Sequence, residues 1–196
     1  AAAWTNRHVQ GEDGVIGAMH VLSFLGKPIF LALVVGIPAL WFLRRGARKL
    51  AVFLAVTCIG GGIVDSLVKI AVGRSRPEVD DPIVEAFGKS FPSGHSMSSL
   101  ICYGALLLAV APLLSDRVRR AATAGVVLLV LAIGGSRLVL GVHFITDVLG
   151  GYVLGAAWLA GSGAAFETWR ADRGRRKTSP LEEGVEPEEA KELVSS

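Results

Sequence analysis

The fold class predicted is all-α, a polytopic transmembrane helical bundle, and three observations predict it. Hydrophobic residues make up 52% of the 196-residue chain and mean hydropathy is +0.53, too apolar for an ordinary soluble domain. The apolar residues gather into segments of about 17–23 residues, enough to cross roughly 30 Å of hydrocarbon at about 1.5 Å per residue. Short basic clusters separate some of these segments, as they do in membrane-protein loops.

Taken in order, residues 1–21 are mixed polar sequence with Trp4, Arg7, Glu12 and Asp13, and they lack the charged, apolar and cleavage regions of a signal peptide. Five spans follow, at 22–43, 50–72, 96–114, 119–140 and 144–166, so that 22–166 reads as one transmembrane domain. Pro28, Pro38 and Pro112 lie in or near spans, which is tolerated where neighbouring helices or water satisfy the freed carbonyls. Gly60-Gly61-Gly62, Gly134-Gly135 and Gly150-Gly151 allow close helix approach. Cys58 and Cys102 fall inside apolar spans and read as small core residues. Residues 167–196 run from a basic stretch (Arg170 to Lys177) to an acidic one (Glu182 to Glu189). They are too poor in apolar residues for independent folding, so a disordered tail or a fraying helix without catalytic role is expected.

The net charge of +3 and pI near 9.1 do not argue for a nucleic-acid partner, because the basic residues sit in short clusters rather than on one face. Arg44, Arg45, Arg48 and Lys49 follow span one, Arg117, Arg119 and Arg120 follow span three, and Arg170 to Lys177 follow span five. The positive-inside rule assigns all three clusters, and the tail, to the cytoplasm and the N-terminal segment to the outside of the cell membrane. The alternate connections, Arg74 to His95 and Ser136 to His143, then share the extracytoplasmic side. Trp4, Trp41, Trp158 and Trp169 are candidate interfacial anchors.

Those alternate connections hold the chemistry. Arg137, His143 and Asp147 interrupt a long apolar run, and ionisable groups so placed are costly enough to mark a functional site. His143 and Asp147 are four apart, one helical turn, where a carboxylate can hold an imidazole in one tautomer. Lys69, Arg76 and Pro77 close the second span, and Phe91-Pro92-Ser93-Gly94-His95 opens the third. Three cations, two histidines and a glycine-containing helix start point to a phosphate as target, since Arg forks and helix N-terminal amides both bind phosphate oxygens. Ser93 alone would read as a helix cap; the company of His95 and the other two stretches favours a phosphate contact. The cationic surroundings argue against a metal held by the two histidines, so neither metal nor cofactor is expected. Asp65, one turn before Lys69, is a candidate ion-pair partner for it. Glu78, Asp80, Asp81 and Glu85 read as a solvated loop, and His8 and His20 as structural.

Lys69 with six residues before Arg76-Pro77, then Pro92-Ser93-Gly94-His95, then Ser136-Arg137 with five residues before His143 and three before Asp147, resembles the three-part signature of the type 2 phosphatidic acid phosphatase superfamily. That group includes membrane lipid phosphatases, glucose-6-phosphatase and vanadium haloperoxidases. The resemblance implies that His143 attacks phosphorus to form a phosphohistidine, that Asp147 orients it, and that His95 protonates the departing oxygen. It implies phosphate binding by Lys69, Arg76, Ser93, Gly94 and Arg137. Spacing alone leaves the two histidine roles interchangeable. The implied substrate is a lipid phosphate or pyrophosphate in the bilayer, with undecaprenyl pyrophosphate favoured over phosphatidylglycerol phosphate and phosphatidic acid. Such proteins have six spans with both ends inside, so an N-out chain of five implies a further helix before Ala1. The competing readings are a lipid-phosphate transporter or binding protein, and a vanadium haloperoxidase-like enzyme.

Overall fold

The computed structural model describes residues 13–77 and 86–195, and its regular elements are all helical. Helix α1 spans Asp13–Leu25, α2 Pro28–Arg44, α3 Arg48–Val72, α4 Gly94–Val110, α5 Asp116–Val139, α6 Ile145–Asp172, α7 Pro180–Glu183 and α8 Pro187–Ser195. A 3-10 turn at Ala111–Leu113 ends α4. By length and composition α3, α4 with its turn, α5 and α6 can each cross a membrane, and the α1–α2 pair makes a fifth span if counted as one. Trp4, Arg7, His8, Glu12 and the acidic residues Glu78, Asp80, Asp81 and Glu85 lie outside the described residues.

The first span differs from the expected continuous helix at 22–43. It breaks at Gly26-Lys27, and α1 and α2 meet there at 48°. Pro28 is the cause: it has no N–H and its ring clashes with a preceding turn, so it opens a new helix instead of continuing the old one. Tight turns close α1, with Gly26 N donating to Ser23 O at 3.1 Å and Lys27 N to Phe24 O at 3.0 Å.

Helix α4 is the hub, packing against α2, α3, α5 and α6. Glycines set how closely α6 approaches it: a Cβ on Gly151 would stand 2.8 Å from the Ser93 carbonyl, and one on Gly155 3.1 Å from that of Met97. Gly60 and Gly61 likewise face Trp158 and Ile101, whereas Gly62 and Gly135 meet nothing within 4 Å. Trp158 is not an interfacial anchor. Its indole donates to Thr57 O at 2.7 Å and ties α6 to α3 inside the bundle. Trp41 and Trp169 stand at helix ends beneath the guanidinium groups of Arg45 and Arg173. Outward-facing Ile37, Ile59, Ile63, Leu67, Leu128 and Val153 leave the apolar exterior a bilayer requires. Cys58 and Cys102 are free thiols between α3 and α4.

The tail does not lie free as expected. Arg170, fully buried, donates from Nη1 to Glu186 at 2.9 Å and from Nη1 and Nη2 to the two oxygens of Glu188 at 2.7 and 3.0 Å. Glu189 accepts the amides of Lys49 and Leu50, capping the start of α3. With its charges paired, the tail buries Val185, Ala190 and Leu193 in the same apolar cluster as Phe42 and Phe53. The acidic and basic blocks that suggested disorder are partners of each other and of Lys49.

Candidate active site

The end of α3, the start of α4, the end of α5 and the start of α6 meet at one end of the bundle, away from the helix ends that carry the basic clusters. Helix α3 stops at Gly73, whose φ of 64 lets its amide return to Lys69 O at 3.0 Å. One turn inside that end, Lys69 Nζ meets Asp65 Oδ1 at 2.5 Å, the pair anticipated from their spacing, and also donates to Pro92 O at 3.0 Å. A Cβ on Gly94 would lie 3.3 Å from Lys69 Nζ, so glycine there gives the ammonium access to the start of α4.

Ser93 is the N-cap of α4, yet its hydroxyl makes no capping bond. Its Oγ is buried without a partner, as are His95 Nε2 and Arg137 Nε. Unsatisfied buried polar atoms are rare in native folds; Thr57, Arg170 and Glu186 each have one elsewhere, but the group formed by Ser93, His95, Arg137 and His143 Nδ1 fits a polar ligand site. The Ser93 amide is taken by Asp147 O at 2.9 Å, which leaves the next amides of the helix start available to an anion.

Arg137 ends α5 at only 6% exposure, with Nη1 donating to the Ser23 hydroxyl of α1. Gly141 then turns the chain at φ 76, and Val142 N returns to Arg137 O at 3.2 Å. This reversal sets His143, 3% exposed, immediately before α6. Its Nε2 lies 3.3 Å from Arg76 Nη1. Arginine has only donors, so Nε2 presents its lone pair and the ring proton sits on Nδ1. Nδ1 faces Asp147 Oδ2 at 3.4 Å, close enough for electrostatic pairing but without a well-aligned hydrogen bond.

Asp147 is fully buried and held from several sides. Oδ2 accepts the Phe144 amide at 2.9 Å and the Ser90 hydroxyl; Oδ1 accepts Arg74 Nη1 at 3.0 Å. Arg76 is oriented by backbone carbonyls, donating to Val142 O at 3.0 Å, Gly88 O at 3.1 Å and Phe87 O at 3.0 Å. His95, Arg137, His143 and Arg76 lie within electrostatic reach of one another. Burial above all, with Arg76 and Arg137 adding to it, pushes the His143 ring down to about 4 against the smaller pull of Asp147. The pocket therefore offers a neutral imidazole among cations, an arrangement able to hold an anion and attack it.

Residues 49–171 match the family model of the PAP2 superfamily, a stretch that holds all three signature parts. The chain belongs to the PAP2 superfamily. Over 96 residues it is 40% identical to phosphatidylglycerophosphatase B of Bacillus subtilis (strain 168), a match covering 47% of this chain and 46% of that relative, so it spans about half the relative's length. It also resembles the crystal structure of a transmembrane PAP2 type phosphatidylglycerolphosphate phosphatase from Bacillus subtilis, with a TM-score of 0.70 at 25% identity over 79% of this chain and 77% of that one.

In this PAP2 chain, Lys69, Arg76, Ser93, Gly94, His95, Arg137, His143 and Asp147 come together at one end of the fold. Sequence reasoning missed four neighbours. Arg74 and Ser90 hold Asp147, and Ser23 holds Arg137. Gly26 abuts the His95 ring, where an added Cβ would stand 3.0 Å from Cδ2. Arg74 stood two residues from a motif arginine and was open to suspicion; Ser23, Gly26 and Ser90 carried no local signal.

Proposed function

We propose that this PAP2 chain is an integral membrane lipid phosphatase that works through a phosphohistidine on the extracytoplasmic face. The observation that carries the proposal is the line Arg76–His143–Asp147, which points a lone pair at the cationic pocket and a ring proton at a buried carboxylate. Its substrate is a lipid phosphomonoester or pyrophosphate. The names of both relatives support phosphatidylglycerol phosphate ahead of the undecaprenyl pyrophosphate favoured on sequence alone, and phosphatidic acid carries the same terminal group.

Lys69, Arg76, Arg137 and the start of α4 neutralise the phosphate oxygens that would repel a nucleophile. The Nε2 lone pair of His143 forms the N–P bond as the bond from phosphorus to the leaving oxygen breaks, and His95, protonated once the bound phosphate offsets the cations around it, delivers its proton to that oxygen. Asp147 keeps the Nδ1 proton and balances the charge on the phosphorylated ring. His95, now neutral, takes a proton from water; the water oxygen bonds to phosphorus, the N–P bond breaks, and phosphate leaves. The basic helix ends opposite the site support the extracytoplasmic orientation, with the tail in the cytoplasm.

The test is phosphate release by the detergent-purified protein from a panel of lipid phosphates. His143→Ala is expected to lower kcat by about a thousandfold or more. Rapid quenching of His95→Ala with labelled substrate is expected to trap label on His143. An active His143→Ala protein would overturn the mechanism.

A further inference from the structure

We propose that Lys27, at the break between α1 and α2, forms a subsite for a second phosphate on the leaving-group side of the pocket, so that the site prefers lipids with two phosphate groups over single phosphomonoesters. This rests on the phosphatase reading above and adds a substrate preference to it.

The break is built against the site. Gly26 touches the His95 ring on one side and Ile133 on the other, where a Cβ would stand 2.6 Å from Cγ2, so only a residue without a side chain fits. One turn earlier Ser23 receives Arg137, and Leu25 O receives the Tyr103 hydroxyl at 2.9 Å, which fixes the break to α5 and α4. Lys27 follows Gly26 directly. It is exposed, its ammonium lies 5.9 Å from the Phe24 ring centre, and among the described residues no carboxylate pairs with it. It lies within electrostatic reach of His95.

The chemistry gives that position a meaning. In phosphoryl transfer the attacking and leaving atoms lie roughly in line. With His143 and Arg76 on the attacking side, the leaving oxygen lies on the His95 side, and whatever it belongs to extends toward Gly26 and Lys27. In phosphatidylglycerol phosphate the leaving group carries a phosphodiester beyond its glycerol; in a prenyl pyrophosphate the leaving group is itself a phosphate. In phosphatidic acid it is uncharged diacylglycerol. A lysine there meets a negative charge in the first two lipids and none in the third. As a flexible point charge, it tolerates the different spacing of the two phosphates.

The experiment measures kcat and KM of the wild type, Lys27→Gln and Lys27→Arg on phosphatidylglycerol phosphate and on phosphatidic acid with the same acyl chains in the same micelles. Lys27→Gln is expected to lower kcat/KM for phosphatidylglycerol phosphate about tenfold, through KM, with phosphatidic acid within about twofold of wild type. Lys27→Arg should restore the preference. Equal losses on both lipids, or none on either, overturn the subsite while leaving the phosphatase reading in place. Failure of the wild type to release phosphate from any lipid overturns both.

Discussion

The Ser93 amide donates to the backbone carbonyl of Asp147 at 2.9 Å, joining the first residue before α4 to the first turn of α6. Both partners belong to the signature, and the bond is main-chain, so it survives exchange of their side chains except for proline at position 93, which has no N–H. It sets the start of α4, with Gly94 and His95, against the turn that carries His143. Gly151 makes this possible, since a Cβ there would meet the Ser93 carbonyl at 2.8 Å.

Arg74 is expected to be a positioning residue. It donates to Asp147 Oδ1 and to the Thr146 hydroxyl at 2.7 Å, and its guanidinium lies 4.5 Å from the Phe144 ring centre. Removing a partner that orients a catalytic group typically costs about 10–100-fold. Arg74→Gln should therefore lower kcat by about that factor with KM little changed, and Arg74→Lys should recover part of it. Steady-state kinetics decide it: an unchanged kcat would mean that Ser90 and the Phe144 amide suffice.

The His143 ring should titrate well under its ordinary value of about 6.5. Its folded value is pushed down to about 4, chiefly by burial and then by Arg76 and Arg137. Between those two values the unfolded chain binds a proton that the folded chain refuses. This group's contribution to stability is thus complete above about 6.5 and is lost as pH falls toward 4. An NMR titration of the ring reads the midpoint directly, and Arg76→Gln should raise it by removing a neighbouring cation. A wild-type midpoint at or above 6.5 would contradict the geometry.

The tail should behave as part of the fold. Arg170→Ala takes one of two cations held at 2.9 Å from the buried Glu186, leaving Arg175 in place with Lys49 at 3.9 Å, so the loss should stay below the roughly 3–5 kcal/mol of a fully uncompensated buried charge. Thermal unfolding in detergent should show the loss, while turnover per folded molecule at low temperature stays near wild type because the pair lies at the other end of the bundle. An unchanged melting temperature would mean that the tail is not docked in solution.

The helices were legible because their signal is local. Apolar runs bounded by Gly73, Ser93 and Ser115 mark α3, α4 and α5 within a few residues. Pro28 and Trp158 were misread for a shared reason. A proline near a span can either bend a helix or begin one, and a tryptophan can face lipid or a neighbouring helix; the choice depends on what packs beside it. The tail was misread because its composition describes an isolated segment, whereas its glutamates are matched to Arg170 and Lys49.

From the sequence alone came the order of the apolar spans, the end of the bundle to which the motif residues belong, and the identity of the phosphate-binding and acid–base candidates. Each of these depends on residue type and on spacing along one stretch of chain. Tertiary structure decided which nitrogen of His143 faces the pocket, that Arg74 and Ser90 hold Asp147, that Ser23 holds Arg137, and that Gly26 borders the site. These partners are contributed by different helices and connections, and packing rather than local periodicity selects them. A hydrogen bond between distant segments leaves no trace in the pattern of either one.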